Sequence, residues 1–411
     1  MFKRITTTYQ RFSPKFWILV LSAFIDRLGG TMIFPFFSLY ITQKFDVGMT
    51  QAGVLLGSFS FFGFIGSIIG GALTDKFGRK GIVLFGLVFS ACSSIAFGLV
   101  REFSVFFTLA VFVGLLSDVA GPAHQAMVAD LLPEERRAEG YSFMRMAGNL
   151  AWILGPTIGG FLAGYSYMIV FVIDAITSLI VAGIVFRFIP ETKPEVESAE
   201  EPESIFKTIL GYAEVFKDRL YLAIVVCLIF STLAYGQIYS TLSVFLRDVH
   251  GLPESGYGSL MSINASLVVL FQFWITSRMR ERPPILVLAL GTSFYLVGLT
   301  MYGYVSGYAL FLAAMVLITI GEMVLLPTAQ GIVANFAPQK LRGRYMAFFG
   351  LSWVLPSIFG PGLAGLILDG PNPEWLWFAC GISCALAIAG FLVLHSRAGA
   401  RLEQRVDETT R

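Results

Sequence analysis

The feature that most constrains this chain is a series of twelve long apolar segments separated by short polar ones. An α-helix needs about 20 apolar residues to cross the hydrocarbon core of a bilayer. By hydropathy the segments lie at residues 16–42, 50–73, 81–99, 103–128, 141–164, 167–189, 220–246, 256–277, 284–304, 307–333, 344–368 and 374–395. Only 14% of the 411 residues are charged, too few for a water-soluble domain. The sequence therefore predicts an all-α membrane protein with twelve transmembrane helices.

Positive charges are distributed unevenly between the two sides of this arrangement. Of the 29 Lys and Arg residues, 24 fall in the tails and loops on the side that carries both termini. The opposite side has only Lys44, Arg101 and Arg247, and two more lie within spans. Loops rich in Lys and Arg stay in the cytoplasm. We therefore expect a multi-pass protein of the cell membrane (inner or plasma) with both termini in the cytoplasm.

The second half of the chain repeats the first. At an offset of 205 residues, the matches include Pro122 with Pro327, Gln125 with Gln330, and Gly155-Pro156 with Gly360-Pro361. Parallel repeats of this kind are typical of transporters with a substrate site between the halves, near mid-membrane. We expect two pseudo-symmetric six-helix bundles, residues 1–189 and 220–411 with its cytoplasmic tail, joined by a charged cytoplasmic linker at 190–219.

Several charged residues lie inside the predicted spans, where a charge costs a few kcal/mol or more unless it faces protein or water. Asp26 and Arg27 are near the middle of the first span, and Arg145 is near the cytoplasmic end of the fifth. Asp118 and Glu322 occupy matching depths, one in each half. These five residues are candidates for proton coupling or substrate binding, with Asp26 first. The alternative for each is an ion pair, hydrogen bond or interfacial contact that only fixes packing.

Amide and aromatic side chains in the same spans suit an apolar cavity with a few polar groups. The candidates for its lining are Asn149, Trp152, Tyr235, Gln237, Tyr239 and Trp353. Asp174, in the sixth span, is expected instead to be a structural acid near the external surface.

Three motifs resemble the major facilitator superfamily, and within it the drug/proton antiporters of the multidrug efflux type. The first is the loop Gly71-x-x-x-Asp75-Lys76-x-Gly78-Arg79-Lys80 between spans two and three. The second is Asp26-x-x-Gly29 followed by Pro35, and the third is Gly155-Pro156-x-x-Gly159-Gly160 in span five, the antiporter motif. The resemblance extends over essentially the whole chain.

The resemblance implies a conformational latch in the loop between spans two and three. Asp75 would cap the N-terminus of the eleventh helix when the cytoplasmic side is closed, an interaction favoured by the helix dipole. Gly71 and Gly78 would frame the turn, and Arg79, Asp130 and Arg137 would complete a charge network. The alternative is a solvated loop. The helix-four Arg of the family is missing, since the region around Ala110 is apolar. Proton coupling would then rest on other residues, such as Arg27 or Arg145.

The function implied is secondary active transport: efflux of hydrophobic small molecules, cationic ones included, in exchange for protons, by alternating access. A lipid or glycolipid transporter and a sugar or metabolite transporter are the alternatives. The expected partners are the substrate, protons and the lipid bilayer, with no nucleic acid, no cofactor and no metal, and the protein is expected to be a monomer.

Two other classes of membrane protein are disfavoured by what the sequence lacks. A membrane-embedded enzyme needs clustered catalytic residues near the interface, and the chain has only 3 His, with no such cluster. A receptor would normally add a domain outside the membrane, and the longest polar segment here is the linker. We therefore expect that the protein is not an enzyme.

Overall fold

The computed structural model describes residues 11–117, 119–192, 215–336 and 341–410. In these ranges the regular elements are α-helices and one 3-10 turn, without strands. The first half contains α1 (Pro14–Ile33), the 3-10 turn (Phe34–Phe36), α2 (Phe37–Phe45), α3 (Met49–Phe77), α4 (Arg79–Leu99), α5 (Phe103–Ser117), α6 (Gly121–Leu131), α7 (Glu134–Ala163) and α8 (Tyr167–Phe188). The second half contains α9 (Arg219–Tyr235), α10 (Gln237–Ser240), α11 (Leu242–His250), α12 (Glu254–Met279), α13 (Pro284–Met301), α14 (Tyr308–Phe336), α15 (Arg342–Leu368) and α16 (Trp375–Thr410).

The twelve predicted membrane spans are confirmed, since 12 segments are long and apolar enough to cross a bilayer. Among the described residues, three of them contain more than one helix. The first span, Pro14–Phe45, changes to a 3-10 turn around Pro35, which has no N–H to continue the helix. The fourth, Phe103–Leu131, contains α5 and α6. The seventh is interrupted at Gly236, between α9 and α10. All three lie inside segments predicted to be continuous.

The described residues form two compact units. The first contains the residues up to Val47, those from Ser58 to the start of the linker, and Leu252–Ser262. The second contains Gly48–Gly57 and the remainder of the second half. Corresponding helices pack alike: α1 on α7 and α8 in the first unit, α9 on α15 and α16 in the second. The packing thus follows the sequence repeat.

Many large apolar side chains face outward. Phe273 is 86% exposed, Leu270 70% and Phe186 69%, whereas aromatic residues such as Phe16 and Trp377 are fully buried in the units. A surface of this kind is stable against lipid rather than water. The protein is a multi-pass membrane protein.

Asp369, just after α15, caps the start of α3 within the second unit. Its carboxylate accepts hydrogen bonds from the backbone N–H groups of Met49 and Thr50, at 2.7 and 2.8 Å. These N–H groups have no partner inside their own helix, and the helix dipole favours a negative charge at this end. The segment Gly48–Gly57 is therefore held to the second unit by a specific polar contact.

We predict that Asp369→Ala destabilises the folded protein by about 1 kcal/mol, the usual effect of removing a helix cap. Asp369→Asn should lose less, because its side-chain oxygen still accepts a hydrogen bond. Thermal unfolding in detergent measures both changes. Asp248→Ala is the control, since Asp248 is half exposed and pairs with the adjacent Arg247. Equal melting temperatures for Asp369→Ala and the control would contradict the prediction.

Candidate functional site

The most complete polar cluster inside a span surrounds Glu322 of α14, in the second unit. Its Oε2 accepts a hydrogen bond of 2.9 Å from Nδ2 of Asn264 in α12. The same amide donates to the hydroxyl of Thr319, also at 2.9 Å, and this hydroxyl donates to a carbonyl of its own helix. Asn264 is only 5% exposed. The amide thus fixes the carboxylate with a neutral donor.

Three tyrosines complete the surroundings of Glu322. Tyr235, at the end of α9, lies close enough to interact with the carboxylate. Its hydroxyl is 3.0 Å from that of Tyr239, and its ring stacks on Tyr295 at 5.0 Å between centroids. Trp353 of α15 meets the Tyr235 ring edge-on at 6.1 Å. The break after Tyr235 leaves these side chains grouped beside the acid.

The hydroxyl of Tyr295 is buried and finds no hydrogen-bond partner among the described residues. It is an electrostatic neighbour of Glu322. A buried donor left unpaired costs about 1–3 kcal/mol, so such groups usually bind water or a ligand. This hydroxyl is a polar group of the cluster that the described residues leave without a hydrogen bond.

Four residues singled out from the sequence are therefore brought together: Glu322, Tyr235, Tyr239 and Trp353. Asn264, Thr319 and Tyr295 were missed, because uncharged residues in an apolar span carry no strong signal. The helical spacing of Thr319 and Glu322, three residues apart on one face, could have indicated the first of them. Gln237, also predicted to line the cavity, is 4% exposed. Its amide NH2 donates a hydrogen bond to the Leu233 carbonyl, and its Oε1 accepts hydrogen bonds from the hydroxyls of Ser240 and Thr241 around the helix break.

The candidates of the first unit are more dispersed. Asp26 is half-buried on α1, while Arg27 is exposed. On α7, Arg145 and Asn149 are exposed, and Trp152 meets Phe34 edge-on at 6.0 Å. Asp118 lies outside the described residues.

The antiporter motif makes close contacts along α7. Side chains at Gly155 and Gly159 would collide with Thr31 and the Met32 backbone of α1. Pro156 lies between them inside the helix. A Cβ at Gly160 would lie only 3.2 Å from Cα of Gly258 in α12, which belongs to the same unit. These glycines let α1, α7 and the start of α12 approach closely, as small residues do in membrane helices.

Part of the expected charge network is present near the start of α4 and the end of α6. Nε of Arg79 lies 3.2 Å from Oδ2 of Asp130, a half-buried ion pair. Nε of Arg137 donates instead to the carbonyl of Ala129, at 3.1 Å. Gly71 and Asp75 are helical, but the side chain of Asp75 is not among those that the structure describes.

Glu191, at the start of the linker, was not anticipated in this network. Its carboxylate accepts the backbone N–H of Arg79 at 2.9 Å and that of Lys80 at 3.2 Å, next to Gly78 with its positive φ of 90°. A carboxylate at this helix N-terminus is favoured by the dipole. The linker is thereby attached to the motif loop.

Among the described residues, no group of His, Cys, Asp and Glu could hold a metal ion. The four cysteines are free, three of them buried. The candidate chemistry is therefore that of carboxylates, amides and aromatic rings.

Comparison with known proteins places the chain among transporters. A sequence model of the Major Facilitator Superfamily matches residues 19–355 and 287–409. A Na(+), Li(+), K(+)/H(+) antiporter of Planococcus maritimus is 25% identical, over 92% of this chain and 94% of its own. The multidrug resistance protein MdtH of Escherichia coli (strain K12 / DH10B) is 24% identical, over 95% of this chain and 96% of its own.

Solved structures share the fold at low identity. A POT family transporter in complex with a thioalcohol-conjugated peptide has a TM-score of 0.78 at 15% identity, over 94% of this chain and 96% of its own. The nucleoside transporter NupG has a TM-score of 0.77 at 14% identity, over 92% of this chain and 99% of its own. These similarities establish the architecture, while the substrates of those proteins differ from one another.

We predict that Gly159→Val lowers the stability of the protein by about 1–3 kcal/mol, because the added methyl groups must displace the α1 backbone. Thermal unfolding and the yield of monodisperse protein measure the loss. Gly148→Val in the same helix is the matched control, since a Cβ there meets no atom within 4 Å. Equal losses in both variants would show that close packing at Gly159 is unimportant.

Proposed function

This chain belongs to the Major Facilitator Superfamily, and we propose that it exchanges protons for hydrophobic cations, exporting them by alternating access. Its relatives are transporters, not enzymes. The observation that carries the proposal is the environment of Glu322. The carboxylate is surrounded by neutral polar and aromatic groups, and among the described residues no basic side chain contacts it.

A buried carboxylate without a counter-charge is costly in its ionised form. The cost disappears when the acid binds a proton, and equally when a cation lies beside it. Proton and cation therefore compete for one group, and competition of this kind is sufficient for exchange. We infer that Glu322, rather than Asp26, carries the exchanged proton. Asp26 has Arg27 as an electrostatic neighbour, whereas Glu322 has no basic neighbour among the described residues.

The aromatic groups favour an organic cation of low hydration. A cation over a tyrosine or tryptophan face gains about 0.5–2 kcal/mol, with the larger value where water is excluded. Tyr239 and Trp353, which are not buried, offer such faces, and both pack on Tyr235 beside the acid. The similarity to the multidrug resistance protein MdtH supports the same substrate class.

A second candidate is exchange of protons for an alkali metal cation. The side-chain oxygens of Glu322 and Thr319 are hard donors of the kind such ions bind. The similarity to the Na(+), Li(+), K(+)/H(+) antiporter supports this candidate as well. The two candidates share the proton site and differ in the second ligand.

We predict that Glu322→Gln abolishes efflux driven by a pH gradient, because the amide neither releases a proton nor attracts a cation. In proteoliposomes, gradient-driven flux of tetraphenylphosphonium should fall by about tenfold or more, since a lost interaction of ~1.4 kcal/mol already gives a factor of ten. Glu281→Gln is the control, as Glu281 is an exposed loop residue.

The same vesicles separate the candidates. Proton movement driven by Na⁺ or K⁺ but not by tetraphenylphosphonium would select alkali-cation exchange. Flux that ignores the pH gradient, or an unchanged Glu322→Gln variant, would contradict proton exchange at Glu322 and redirect the search to lipid, glycolipid or metabolite substrates.

We further propose that the protein lies in the cell membrane, inner or plasma, as a monomer with both termini in the cytoplasm. The excess of Lys and Arg on the side of the termini supports this orientation. A green fluorescent protein fused after Arg411 should fluoresce, and alkaline phosphatase fused there should be inactive. The reverse pattern would place the termini outside.

A further inference from the structure

We propose that Asp174 is a second proton-carrying carboxyl group, paired with Asp26 inside the first unit and separate from Glu322. The inference rests on the proposed exchange of protons, which it extends from one site to two. Its basis is the way α1, α4 and α8 enclose Asp174.

Asp174 is held deep in the unit by contacts that fit its carboxyl group. It is 4% exposed on α8. The hydroxyl of Ser94 in α4 donates to its Oδ2, and its Oδ1 lies against Gly29 of α1, where any side chain would collide. The glycine of the Asp26-x-x-Gly29 motif thus makes room for an acid from another helix.

Among the described residues, no basic side chain is a partner of Asp174. Asp26 of α1, three residues before Gly29, is its electrostatic neighbour, and α4 contributes only the neutral Ser94. Among the described residues, no ionisable group of α7, the remaining helix packed on α8, acts on it. Arg27, the basic neighbour of Asp26 on α1, is exposed and acts on Asp26.

Two neighbouring carboxyl groups in an apolar interior do not both ionise at low cost. One proton held between Asp174 and Asp26 leaves a single negative charge, which Arg27 can balance beside Asp26. When the proton leaves the Asp174 oxygen, it passes to the Asp26 carboxylate or to water, and no other bond changes.

Two buried hydroxyl groups, one on α1 and one on α8, lie one helical turn from the two acids. Ser22 and Ser178 are fully buried, and neither hydroxyl finds a hydrogen-bond partner among the described residues. Ser22 is one helical turn from Asp26, and Ser178 is one turn from Asp174. A buried polar group without a protein partner usually bonds to water. Water at these hydroxyls would connect the acid pair to a proton path.

His124 of α6 is the other titratable group near this path. Its Nε2 is buried without a hydrogen-bond partner among the described residues, and it is an electrostatic neighbour of Arg27. Arg27 is the charged group that acts on it, and neither acid of the pair does.

Infrared spectroscopy of the purified protein in lipid tests the pair without any transport. A protonated carboxyl group has a carbonyl stretch that a carboxylate lacks. At mildly acidic pH we expect Asp174→Asn to remove one such band, Asp26→Asn and Ser94→Ala to shift that same band, and Glu322→Gln to remove a different one. Ser93→Ala is the matched control, because its buried hydroxyl bonds only to Phe89 of its own helix.

An Asp174→Asn spectrum identical to the wild type would overturn the proposal, because Asp174 would then be ionised. So would a band that Asp26→Asn and Ser94→Ala both leave unshifted. If Asp174→Asn does not fold, Ser94→Ala retains the acid and decides the question by whether the band shifts.

Counting protons in proteoliposomes gives the functional consequence. We expect Asp174→Asn to exchange one proton fewer per substrate than the wild type, whereas Ser93→Ala should be unchanged. An unchanged proton count would contradict a carrying role for Asp174. If the infrared bands are as expected but the wild type shows no gradient-driven flux, the proposed function is refuted. The proposal that Asp174 and Asp26 share a proton would still hold.

Discussion

The proposed proton sites depend on one constraint, the free-energy cost of an ionised carboxylate inside an apolar helix bundle. An apolar interior solvates charge poorly, and neutral donors such as Asn264 only partly replace water at Glu322. A group in this position is stable when it carries a proton or adjoins a cation, and it changes between these states at low cost. The same reasoning extends to Asp174 in the first unit, where Ser94 has the role that Asn264 has in the second.

Close approach of the helices at glycines, rather than packing of large side chains, makes room for these sites. Gly29 admits the Asp174 carboxyl group, and Gly155 and Gly159 bring α7 against α1. In the second unit, the interruption at Gly236 leaves Tyr235 and Tyr239 beside Glu322. Glycines and breaks therefore determine where polar groups can exist within helices that otherwise face lipid.

Hydropathy and the internal repeat were sufficient to predict the twelve spans and the fold, because both follow from long apolar segments in one chain. Glu322 and its aromatic neighbours were recognised one at a time, as unusual residues in apolar spans. Their grouping could not be predicted, since it depends on the rotation of each helix and on the breaks at Pro35 and Gly236. Asn264 and Tyr295 escaped notice for the same reason. Asp174 was expected to be a structural acid. Its contacts with Gly29 and Ser94 could not be predicted, because they join three helices distant in sequence.

The most direct test of proton–cation competition is proton release on binding, measured with purified protein in weakly buffered detergent solution. Adding tetraphenylphosphonium to the wild type should release protons, and a pH indicator would record them. Glu322→Gln should release markedly fewer at the same occupancy, because the acid that gives up the proton is missing. Binding that releases no protons from the wild type, or equal release from the variant, would contradict the account.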